Sequence, residues 1–77
     1  MSSLAAELPA QIKRIWGIIE ETYEAQSLLA KQGRNADEPR AYRRSLRASC
    51  DRAIDALASQ DVAAMMSSYE DLKGYSA

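Results

Sequence analysis

Apolar residues recur along the first part of the chain at Leu8, Ile12, Ile15 and Ile19, and the same register continues through Thr22, Gln26 and Leu29. Alternating steps of four and three make a heptad seam, because a repeat of about 3.5 residues keeps one stripe of a helix pointing at the same neighbour. The pattern predicts one long helix over about 8–32. Trp16, Tyr23 and Ala30 widen the seam on one side, while Ile18 lies off it and asks for a second contact surface. Pro9 sets the expected start, since proline suits a first helical turn and disrupts later ones. Residues 1–7 then read as a loose lead-in. Gly33 is the expected C-terminal cap, because glycine adopts the left-handed conformation there at little cost.

The stretch from Arg34 to Pro39 is a turn by composition. Asp37 is positioned to cap a second helix over about 38–58, whose first turn accommodates Pro39. That helix carries Tyr42, Leu46, Cys50, Ala53, Ile54 and Leu57 on one face. Ser59-Gln60-Asp61 makes a tight break, with Asp61 as N-cap of a third helix over about 62–73. Val62, Met65, Met66, Tyr69 and Leu72 form its apolar stripe, and Gly74 is placed to end it. The expected fold is all-α, a single domain over 1–77 built as an antiparallel helical hairpin plus a shorter third helix.

Composition changes this picture in one respect. Apolar residues make up 47% of the 77, but fourteen of them are alanine and none is phenylalanine. A core of this kind sits near the minimum for independent folding. The expectation is therefore completion as a homodimeric bundle, with Trp16 and Ile18 as the self-association residues. The alternative is a marginal monomer that leaves some apolar groups exposed.

The chain has no His and a single Cys, which excludes a disulfide framework and a Cys/His metal site within one chain. No metal ligand and no cofactor is assigned. A carboxylate metal cluster of the helical-bundle type needs Glu-x-x-His repeats, which are absent from the sequence. Glu20, Glu21, Glu24, Asp51 and Asp55 read as solvated helix faces, since acid–base work needs a pocket that separates two pKa values. Asp51 and Asp55 lie where they could meet Glu20 across the hairpin. Cys50, between Leu46 and Ile54 on the apolar face, reads as a buried small hydrophobe. No catalytic residue is assigned, and the chain is not expected to be an enzyme.

Net charge is −1 and the isoelectric point is about 5.3, so overall electrostatics recruit neither nucleic acid nor an anionic membrane. No apolar run approaches the roughly 18 residues of a membrane span, and the expected compartment is the cytoplasm of a bacterial host. Against this background the run Arg40, Arg43, Arg44, Arg47 stands out. Residues 31–52 hold seven Lys or Arg against three Asp or Glu. A hairpin turning near residue 35 would bring Arg47 level with Glu24, and Arg52 level with Glu20 and Glu21. It would leave Arg40, Arg43 and Arg44 without acidic partners. Two readings stay open: an inter-helix salt-bridge set, or a partner-docking patch formed by Arg40, Tyr42, Arg43 and Arg44.

The segment Glu7-Leu8-Pro9-Ala10-Gln11-Ile12 and the stretch from Arg52-Ala53 through Asp61-Val62-Ala63-Ala64-Met65-Met66, ending Tyr69-Glu70-Asp71-Leu72-Lys73-Gly74, bear on the chain's setting. They resemble a group of short phage- and prophage-encoded proteins of Gram-negative bacteria. The middle differs: Lys31 to Arg44 stands where those proteins carry an Ala/Gly-rich connection, and Ser59-Gln60-Asp61 lacks their glycine. The resemblance implies a genetic setting and brings no activity or functional residue with it. The expected function is a small interaction module that binds and modulates a host protein. A virion structural or assembly component is one alternative, and a weak nucleic-acid binder through the arginines is another. Nucleic acid is the less expected partner, because the third helix offers acids and methionines where a groove reader needs donors.

Overall fold

A computed structural model describes residues 3–75. Among them the chain forms three helices and no strand: α1 (Leu4–Lys31), α2 (Asp37–Ser59) and α3 (Val62–Lys73). Each packs against the other two. At about 1.5 Å per residue α1 is about 42 Å long and α3 about 18 Å, so α3 can cover less than half of α1.

Helix α1 begins earlier than Pro9 suggests. Ser3 is the N-cap, its side chain accepting a hydrogen bond from the Ala6 amide, and Pro9 lies inside the helix. Extending the helix brings Leu4 and Leu8 onto the core, where Leu8 is fully buried, and that burial outweighs the missing proline donor. The loose lead-in is thus corrected from residue 3 onward; residues 1–2 lie outside the described residues. At the other end Gly33 has φ 68°, and the amides of Gly33 and Arg34 donate to the carbonyls of Ala30 and Leu29 at 3.1 and 2.8 Å. This is a Schellman motif, with glycine in the left-handed position.

Asp37 is the first residue of α2 and not its cap. Its amide donates to Asn35 Oδ1 at 2.9 Å, so the Asn side chain shapes the turn that the sequence assigned to Asp37. Asp61 does cap α3, accepting from the Ala64 amide. Between α2 and α3 the left-handed position falls to Gln60, at φ 56°.

The core comprises Leu8, Ile15, Ile18 and Ile19 of α1, Leu46, Cys50, Ala53 and Ala56 of α2, and Met65 and Leu72 of α3. Ile12, Gln26 and Leu29 of the α1 seam are half-buried. Ile18 is 5% exposed, because α1 has two neighbours and buries a wider arc than one seam. On α2, Ser49 and Ala56 are buried while Ile54 is 45% exposed. The buried face of α2 is thus lined in part by small residues, and Ile54 lies outside it. On α3, Met65, Ser68 and Leu72 face inward, while Val62 and Met66 face solvent.

Polar ties fasten the end where all three helices meet. Arg14 donates to the carbonyls of Leu72 and Tyr75 at 2.7 and 2.9 Å, stitching α1 to the end of α3. Tyr75 reaches α2, its hydroxyl 3.0 Å from Ser49 Oγ and its ring edge-on to Tyr42 at 6.1 Å. Arg52 bonds Ser49 Oγ and pairs with Asp71 of α3 at 3.3 Å.

Candidate functional site

The arginines of α2 lie on the side of the helix away from its buried face. At about 100° per residue, Arg40, Arg43, Arg44 and Arg47 span an arc of about 100°. Together they line a shallow hollow of about 200 Å³. Their like charges fall three and four residues apart, a spacing at which each such pair costs a few tenths of a kcal/mol.

Among the described residues little neutralises them. Arg40 pairs with Asp37 at 3.8 Å, and both side chains are well exposed. A pair of that kind contributes little. Arg43 donates to Gln26 Oε1 at 2.9 Å and its guanidinium lies 4.0 Å from the centre of the Tyr23 ring. Both partners are uncharged, so the side chain is held in place while its charge stays uncompensated. Arg47 lies over Trp16 at 5.8 Å from the ring centre. Arg44 is exposed and makes no ion pair or hydrogen bond among the described residues.

Of the residues singled out in the sequence, Arg40, Arg43 and Arg44 are brought together with Arg47. Tyr42 does not line that hollow; it stacks edge-on against Tyr75. Trp16 remains 40% exposed beneath Arg47. Ile18 belongs to the chain's own core, and so offers no surface to a second copy. The salt bridges expected for Arg47 with Glu24, and for Arg52 with Glu20 or Glu21, are not formed among the described residues. Arg47 takes an aromatic face instead, and Arg52 turns to α3 because Asp71 and Ser49 converge there.

Two features escaped the sequence reading. Asp51 and Asp55 continue the arginine face of α2 toward its C-terminus, both exposed and neither paired among the described residues. Their register with Arg40, Arg44 and Arg47 was the available signal. The second is an open apolar hollow of about 430 Å³ formed by Leu4, Val62, Met66 and Tyr69, with Glu7 and Glu70 at its edge. Apolar residues on more than one side of α3 were its only trace.

A wider hollow of about 670 Å³ lies between α2 and α3, where Arg52 and Asp71 already hold each other. Cys50 is fully buried, and burial, with Asp51 nearby, pushes its thiol above the ordinary value of 9.0. A thiol so placed stays protonated and inert near neutral pH. Among the described residues no three potential metal-ligating side chains cluster, and no helix is long and apolar enough to cross a membrane. No family model, curated protein or solved structure gives a significant match to the chain.

Proposed function

We propose that the chain is a small non-enzymatic interaction module that docks its arginine face on a host protein and modulates it in the cytoplasm. The observation that carries this reading is the uncompensated row Arg40, Arg43, Arg44 and Arg47, set beside the half-exposed rings of Trp16 and Tyr23. Arginine, tryptophan and tyrosine are the side chains that most often dominate binding energy at protein interfaces. An intramolecular salt-bridge set would have answered these charges, and among the described residues Asp37 alone does so, weakly.

The partner surface is acidic by complementarity, and the resemblance to phage-encoded proteins makes a host protein the expected partner. An antiparallel course of α1 and α2 is supported by the placing of Tyr23 and Gln26 against Arg43, and of Trp16 against Arg47. In that arrangement both helices present their charged and aromatic groups along one edge.

The test is affinity capture from nuclease-treated host lysate by the tagged protein, at low protein concentration, in parallel with Arg44→Ala. Arg44 has no hydrogen bond or ion pair among the described residues to lose, so its removal leaves stability unchanged. One stoichiometric acidic protein, retained by the parent and depleted by Arg44→Ala, is the expected result. Capture that is indifferent to Arg44, or loss of all capture on nuclease treatment, rejects the reading.

A further inference from the structure

We infer that the solvent face of α2 is also a self-association surface, on which a second copy of this chain lays its own α2 antiparallel across a two-fold axis. The argument rests on the order of charges along that face. Arg40, Arg44 and Arg47 are followed in the same stripe by Asp51 and Asp55, so the face is basic in one half and acidic in the other. All five side chains are exposed. Neither Asp51 nor Asp55 has an ion pair among the described residues, although Arg47 lies four positions before Asp51.

A helix face of this kind complements its own reverse. The register that sets Arg47 level with Asp51 of the other copy also brings Arg44, on the same edge of the face, within one residue of the level of Asp55, and the two-fold axis repeats each pairing. Ile54, 45% exposed, lies on the same face and is shielded from solvent when the second copy docks. A parallel copy in register would instead stack arginine on arginine and aspartate on aspartate, and is excluded by repulsion. An extended polyanion fits poorly for the same reason, since beyond Arg47 it meets Asp51 and Asp55.

This inference rests on the reading of the arginine face as a docking surface and adds its regulation. The same arginines serve the second copy and the acidic partner, so the two exclude each other. Partner binding therefore weakens as the protein's own concentration rises.

Charge reversal with complementation tests it, using sedimentation on the full chain. The wild type is expected to sediment as a dimer at low salt. Raising NaCl from about 0.1 M to about 1 M shortens the screening length from about 10 Å to about 3 Å and should weaken the dimer about tenfold. The doubly substituted basic variant Asp51→Lys with Asp55→Lys, and the acidic variant Arg44→Glu with Arg47→Glu, should each be monomeric. Their equimolar mixture should recover a dimer containing one chain of each. All four positions are exposed, and unchanged far-UV circular dichroism establishes that each variant is folded. A monomeric wild type, a variant that dimerises alone, or a mixture that stays monomeric overturns the inference. Partner capture, performed on dilute protein, decides the docking reading separately.

Discussion

The two ends of the molecule are built on different terms. Where the three helices meet, Ile15, Ile18, Ile19, Leu46, Cys50 and Leu72 are buried, and Arg14, Ser49, Arg52 and Tyr75 tie the helices together. Toward the connection at Gly33 no third helix packs among the described residues. Between Tyr23 and Ser45 only Ala36 is buried, and Leu28 is 57% exposed. The first end carries the stability, and the second carries most of the arginines. A protein this small separates the two tasks along its 47 Å length. Uncompensated charge is tolerated at the end whose burial contributes least.

The largest effect that should divide the ends comes from truncating apolar residues. Leu46→Ala removes a fully buried side chain and is expected to lower the unfolding free energy by about 2–5 kcal/mol in urea titration. Leu28→Ala should change it by less than about 0.5 kcal/mol. Equal effects would abolish the distinction.

Next in size is Arg14→Ala. It strips the carbonyls of Leu72 and Tyr75 of a charged donor and should reduce stability by about 1–2 kcal/mol. Near-ultraviolet circular dichroism should report a loosened Tyr75, while Arg44→Ala leaves both signals unchanged.

The two left-handed residues should respond in opposite senses. Gln60→Gly relieves a conformation unfavourable to a side chain and is expected to raise stability by about 1 kcal/mol. Gly33→Ala, which introduces that same strain, should lower it by a similar amount. A thermal melt of each variant decides both.

The smallest effect concerns pH. The thiol of Cys50 is held above its ordinary value in the folded chain, so the unfolded chain releases that proton first as pH rises. The contribution to stability is complete below about pH 9 and declines above it. Cys50→Ala should flatten that alkaline decline, and alkylation of the native thiol should be slow at neutral pH.

Much of the frame was legible in the pattern of residues. The heptad seam, the cap at Asp61 and the glycine at residue 33 are local signals, and local geometry decides them. Cys50 and Leu46 follow from the periodicity of α2. What escaped depended on a third helix whose docking no period encodes. Ile18 reads as surplus until α1 has two neighbours, and Pro9 reads as a boundary until Leu4 and Leu8 are seen to be needed in the core. Val62 and Met66 satisfy the stripe of α3 as well as Met65 does, yet that helix buries only one side. The arginines are legible in the sequence, but the partners of Arg47 and Arg52 are not. Spacing gives their levels along a hairpin, while the choice of Tyr23, Trp16 and Asp71 depends on rotation about the helix axes.

Residue-resolved hydrogen exchange of the dilute monomer, at neutral pH and low denaturant, tests the central claim most directly. Amides within 15–22, 46–56 and 65–72 should exchange through global unfolding, with protection close to the full unfolding free energy. Those within 24–31 and 40–44 should exchange through local opening at least tenfold faster. Uniform protection across both ends would contradict the account, since the arginine-bearing end would then be as firmly held as the core.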